Sequence, residues 1–134
     1  MKAIIVGRDA ALIEPLADRL TRAGLTVIVS ENSNSVLAAM KKFSVEFVVA
    51  DTSLLIEQKL ARELVKRFPL IRLVGFSARP NLPGMIEALA EGLIDYFPRT
   101  EAYCDAVVEV ILSERRRLAR WQSMLLTDGL APGD

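Results

Sequence analysis

Short runs of continuous apolar residues alternate along this chain with longer stretches whose apolar positions recur three and four apart. The first run, Ala3 to Val6, is apolar throughout, as expected of a strand buried on both faces. Asp9 then stands as a cap before a helix that turns Leu12, Ile13, Leu16 and Leu20 inward, and Gly24 marks its end. Thr26–Val29 reads as a second strand. Asn32 and Asn34 offer caps for a helix carrying Val36, Leu37 and Met40, and a third strand follows over Phe47–Ala50. A helix is expected over Ile56–Phe68, with Leu60 and Leu64 inward and Pro69 as its stop. A strand over Ile71–Phe76, a helix over Leu82–Glu91 ended by Gly92, and a strand over Ile94–Phe97 come next. The last helix starts near Thr100 and runs past Trp121.

Five successive strand–helix units predict an α/β domain: a parallel sheet, helices on both faces, right-handed crossovers. Five strands suggest the flavodoxin-like order 2-1-3-4-5, a three-layer (βα)5 sandwich with its functional crevice at the carboxyl ends of strands 1 and 3. Those ends carry Gly7, Arg8, Asp9 and Asp51.

Composition narrows the chemistry. A chain of 134 residues is one domain in size. Its 17 basic residues cancel its 17 acidic ones, which speaks against a nucleic-acid footprint over the whole domain. No apolar run approaches the roughly 18 residues of a membrane span, and the amino terminus lacks the pattern of a signal peptide, so the expected location is cytoplasmic. The absence of histidine excludes Ser-His and Cys-His nucleophile pairs and the usual zinc sites. The single cysteine, Cys104, excludes an internal disulfide; its place on the inner side of the last helix suits a small buried hydrophobe. An enzyme acting on external substrates is not expected.

With Asp51 closing Glu46-Phe47-Val48-Val49-Ala50-Asp51, Ser77 closing Val74-Gly75-Phe76-Ser77, and Tyr96 and Arg99 in Gly92-Leu93-Ile94-Asp95-Tyr96-Phe97-Pro98-Arg99, residues 2–112 resemble the receiver domains of two-component response regulators (CheY-like domains). The resemblance implies that Asp51 occupies the phospho-acceptor position and Ser77 the phosphate-contacting Ser/Thr position. It implies that Tyr96 is the switch aromatic and that Arg99 stands where receivers keep a lysine. Three departures accompany it. The acidic pair that holds Mg²⁺ is Gly7-Arg8 here. Arg99 replaces the lysine and is followed by Thr100. The loop after the acceptor, Thr52-Ser53-Leu54-Leu55, is short.

The first departure has the largest consequence. Transfer of a phosphoryl group to a carboxylate uses a divalent ion to neutralise its oxygens. Mg²⁺ asks for hard oxygen ligands, and only Asp51 and Asp9 remain. Arg8 also brings a fixed positive charge. At ~4 Å in a partly wet site, opposite unit charges attract by about 4 kcal/mol before desolvation, so an Arg8–Asp51 ion pair is expected in place of the metal. The implied function is an atypical receiver-like (pseudo-receiver) signalling module of a phosphorelay, acting by protein–protein contact and needing no cofactor, with a histidine kinase or another signalling protein as partner. A conventional receiver phosphorylated on Asp51 is the alternative. A Rossmann-type nucleotide-binding regulatory domain is a further one: Gly7 and Asp9 occupy its fingerprint turn, with Glu31 as the ribose acid. Two of the three glycines are missing, however, and Asp9 has the wrong sign for a pyrophosphate.

The last helix continues beyond the receiver-like residues 1–112 into an extension and tail, 113–134. Val107, Ile111, Leu118, Trp121 and Leu125 form a heptad-like stripe along it, with Glu114 as the polar member. Such a stripe is expected to be an interface for a homodimer. Arg115, Arg116, Arg117 and Arg120 read as its solvated flank, with nucleic acid not expected among the partners.

Overall fold

A computed structural model of the chain describes residues 1–98 and 103–127. The elements are β1 (Lys2–Val6), α1 (Ala10–Arg22), β2 (Thr26–Ser30), α2 (Ser33–Lys42), β3 (Phe47–Asp51), a π-helical turn (Ser53–Glu57), α3 (Leu60–Arg67), β4 (Arg72–Ser77), α4 (Leu82–Ala90), β5 (Leu93–Pro98) and α5 (Tyr103–Thr127). All strand pairs are parallel, in the order β2-β1-β3-β4-β5. The alternation and strand order expected from the sequence are therefore those of the structure, and the fold is flavodoxin-like.

The central strands are apolar at every position because both faces are covered. In β1, Ala3 and Ile5 point to one layer and Ile4 and Val6 to the other. Ala3 and Ile5 meet Leu16 and Leu20 of α1 and Val107 and Ile111 of α5. Ile4 and Val6 meet Val36 and Met40 of α2, Leu60 and Leu64 of α3 and Ala88 of α4. The expected caps form: the Asp9 side chain accepts from the Ala11 amide and that of Asn32 from the Ser35 amide. Gly24 and Gly92 both take positive φ (95° and 101°) where α1 and α4 end, a region other residues enter at a cost.

The helix expected over Ile56–Phe68 is interrupted. Its first part is the π-helical turn, closed by the Gln58 amide on the Ser53 carbonyl at 3.2 Å, and Lys59 adopts a left-handed conformation, φ 59°. The reason is phase. Leu55 and Leu60 are both buried, yet five residues at the α-helical rotation would set them about 140° apart. The wide turn and the left-handed residue bring both into the core, immediately after Asp51. Single π-turns are frequent beside functional sites.

Candidate functional site at the carboxyl edge of the sheet

Asp51 is the last residue of β3, half-buried, paired in register with Phe76 of β4. Its Oδ1 accepts a hydrogen bond from the Ser53 amide at 2.9 Å, a local Asx-type turn that fixes the carboxylate at the strand end. It opens into a cleft of about 430 Å³ between the ends of β1 and β3. Arg8, Asp9, Glu31 and Ser53 contribute polar walls, while Leu12, Ile13, Leu54 and Phe76 supply apolar ones. Tyr103 closes this cleft from α5; its ring packs on Phe76 at 5.5 Å between centroids and its hydroxyl donates to the Leu12 carbonyl at 2.7 Å.

Ser77 ends β4 on the next strand and its Oγ accepts from the Arg79 amide at 3.2 Å. It lines a second, smaller depression of about 290 Å³ with Thr52, Ile56, Arg79, Gly84 and Tyr96. Thr52 follows Asp51 directly, so the two depressions flank the end of β3. Tyr96 is half-buried, beneath the first turn of α4. Asp51, Ser77 and Tyr96 thus gather at one edge of the sheet, as the sequence led one to expect. Arg99 and the helix start near Thr100 lie outside the described residues.

The C-cap residue of α4, Glu91, is tied to Arg62 of α3. Arg62 Nε donates to both Glu91 oxygens (3.0 and 2.9 Å) and Nη2 to Oε1 (2.8 Å). These hydrogen bonds hold the Glu91 carboxyl below its ordinary value of 4.5 and Arg62 above its own. The pair is open to water on the arginine side, so its worth is modest. A depressed carboxyl contributes stability that is present above the unfolded-state value and is lost as pH falls through the folded-state one. Urea unfolding measured below pH 4.5 should therefore show the wild type losing more stability than Glu91→Gln. Parallel curves would mean the pair adds nothing.

No family model matches the chain. The DNA-binding transcriptional regulator NtrC of Salmonella typhimurium is 28% identical over 108 residues, which cover 79% of this chain and 23% of NtrC. Among solved structures, HP1043, an orphan response regulator of H. pylori, superposes with a TM-score of 0.76 at 16% identity, covering 84% of this chain and 94% of that one. An atypical orphan response regulator, described as revealing a phosphorylation-independent regulatory mechanism, gives 0.74 at 18% identity, covering 87% and 96%.

This chain has the receiver fold of the response regulators.

On that fold, Asp51 stands at the carboxyl end of the third strand, inside the crevice, with Arg8 on the rim of the same cleft. Arg8 and Asp51 form no ion pair among the described residues, which corrects the expected one. Arg8 is exposed, and holding a long solvated side chain in one geometry offsets most of what a surface pair contributes; Asp51 meanwhile is engaged by its own turn. The receiver metal does not fit this donor set. Asp9 uses Oδ1 to cap α1 at 3.1 Å, and among the described residues no three acidic, histidine or cysteine side chains are grouped as metal ligands.

The interface stripe requires a second correction. Val107 and Ile111 are fully buried, packed with Phe47, Val49 and Val74, and belong to the core of the receiver fold itself. Glu114 bonds Arg72 at the start of β4, and Arg115 Nη1 donates to the Ala23 carbonyl at 3.1 Å, so the body still holds the helix there. Leu118 is half-buried, and only beyond it does the stripe reach solvent, with Trp121 and Leu125 exposed. Cys104 is buried, as expected. Sequence reasoning missed Ser53 and Tyr103, and also the outward-facing apolar flank of α4. The only sequence signal for that flank was the dense apolar run Leu82–Ala90. Among the described residues no helix is long and apolar enough to cross a membrane.

Proposed function

We propose that the chain is a receiver-like signalling module of a two-component phosphorelay that acts through protein–protein contacts and does not depend on Mg²⁺-assisted phosphorylation of Asp51. One observation carries this reading: a guanidinium, Arg8, shares the cleft of Asp51 where receivers place a metal-binding acid. Asp51, Ser77 and Tyr96 lie at or near the carboxyl ends of β3, β4 and β5, which supports a partner-reading surface kept without the metal site. The atypical orphan regulator described as phosphorylation-independent is a structural precedent for such a division. The chain spans 23% of NtrC, and the activity of that whole protein is not carried over. The partner proposed is a histidine kinase or another signalling protein in the cytoplasm. The body of the domain is residues 1–112, and the extension from 113 onwards pairs two copies. The module is not an enzyme.

Intact mass after incubation with acetyl phosphate, with and without Mg²⁺, tests the reading on wild type and Asp51→Asn. The expected result is no phosphoryl adduct on either folded protein. An adduct that requires both Mg²⁺ and Asp51 would establish the conventional phospho-acceptor instead.

A further inference from the structure

The cleft beside Asp51 shows unpaired charge of both signs over apolar walls. The Gly7 amide bonds the Ser30 carbonyl at 2.9 Å, and Val6 pairs in register with Ser30 on one side and Ala50 on the other. Arg8, Glu31 and Asp51 thus stand at the ends of three adjacent strands, β1, β2 and β3, and all three line the cleft. Neighbouring strands are about 4.8 Å apart, so the backbones of Glu31 and Asp51 lie roughly 10 Å apart with β1 between them. Arg8 and Glu31 are exposed and Asp51 is half-buried. None of the three forms an ion pair among the described residues. Asp51 Oδ1 accepts from the Ser53 amide, and Oδ2 has no partner among the described residues.

Leu12 and Ile13 of α1 and Leu54 of the π-helical turn, all half-buried, form the apolar walls. Tyr103, packed on Phe76 and donating to the Leu12 carbonyl at 2.7 Å, fixes the wall on the α5 side. The volume of about 430 Å³ falls among small-molecule sites, which run from about 300 to 1,000 Å³ and combine apolar walls with a few polar groups. The charges select the class. A phosphate or other simple anion meets three carboxylates, Asp9, Glu31 and Asp51, against one guanidinium. A plain cation leaves that guanidinium unmet. A molecule with both signs on neighbouring atoms can give its carboxylate to Arg8 and its ammonium to Asp51, each through a charge-assisted hydrogen bond.

We propose that this cleft binds a small zwitterion with an apolar body, an aromatic or branched α-amino acid. Its carboxylate meets Arg8, its ammonium meets Asp51, and its side chain packs on Leu12, Ile13 and Leu54. Seated there, it bridges α1, the end of β1 and the turn after β3, and supplies an input at Asp51 that needs no phosphoryl transfer. This rests on the reading of a module independent of Asp51 phosphorylation and names the input that replaces it.

Titration calorimetry on the full chain tests it. L-phenylalanine is compared with 2-phenylethylamine and 3-phenylpropionate, and L-leucine with 3-methylbutylamine and 4-methylpentanoate; each analogue keeps the body and one charge. At least one of the amino acids should bind saturably with a dissociation constant below about 1 mM. Its amine and its acid should each bind at least about tenfold more weakly, the loss of one charge-assisted bond. Arg8→Gln should weaken the amino acid by the same factor and leave the amine no weaker. Asp51→Asn should weaken the amino acid and the amine and leave the acid no weaker. Neither substitution removes buried apolar surface, so circular dichroism should be unchanged. No saturable binding of either amino acid, or equal binding of amine, acid and amino acid, overturns the site and leaves the proposed function standing. A phosphoryl adduct that requires Mg²⁺ and Asp51 overturns that function, and intact mass reads it independently of any amino acid.

Discussion

Ile111→Ala should cost about 3 kcal/mol of folding stability and leave the oligomeric state unchanged. Ile111 is fully buried between α5 and the sheet, among Phe47, Val49 and Val107. Truncating a buried isoleucine removes its transfer free energy and leaves a cavity, together about 2–5 kcal/mol. For a domain of this size such a loss lowers Tm by roughly 10 °C. Trp121→Glu, on the same stripe two turns and more away, is 55% exposed and should change stability by no more than about 0.5 kcal/mol. Urea midpoints and solution mass for the two variants therefore separate a core position from an interface position. A mass change with little loss of stability at Ile111 would contradict the packing described here.

The contrast also marks where the sequence stopped being legible. The sheet could be read because Ala3–Val6 and Phe47–Ala50 are apolar without a break, a pattern that only strands covered on both faces require. The caps at Asp9 and Asn32 could be read because their side chains act on amides two and three residues away. The stripe on α5 could not be divided: Val107, Ile111, Leu118, Trp121 and Leu125 have one periodicity, but the body of the domain ends partway along it, and that end is a tertiary fact. The outward flank of α4 went unread for the converse reason. Apolar side chains are usually read as inward, yet this helix seats a small residue, Ala88, against the core and leaves Leu82, Ile86 and Leu89 outside. The break at Lys59 follows from the need to bury both Leu55 and Leu60, which no local pattern announces. At the site, Asp51, Ser77 and Tyr96 were legible because each lies at or near the carboxyl end of a strand. Whether Arg8 grips Asp51 was not, because the outcome depends on an exposed rotamer and on the turn that already holds the carboxylate.

Gly7→Asp/Arg8→Asp should convert the cleft into a cation site. The double substitution removes the guanidinium and adds two carboxylates to a cleft already lined by Asp9, Glu31 and Asp51. Gly7 does not occupy a left-handed conformation, and an added Cβ would meet only the Ile13 side-chain end at 3.2 Å, so the backbone can accept the change. Without a cation, the crowded carboxylates repel, which raises their pKa values and destabilises the fold at neutral pH. Mg²⁺ relieves that repulsion and binds oxygen ligands alone. At a concentration one hundred times its dissociation constant it would add about 2.7 kcal/mol, roughly 8 °C in Tm. Wild type, with Arg8 in place, should show no Mg²⁺-dependent shift in the same melt. If the wild type is stabilised as strongly as the variant, Arg8 does not stand in for the metal-binding acid. If neither responds, the turn that binds Asp51 to the Ser53 amide, and not the charge of Arg8, sets the character of the cleft.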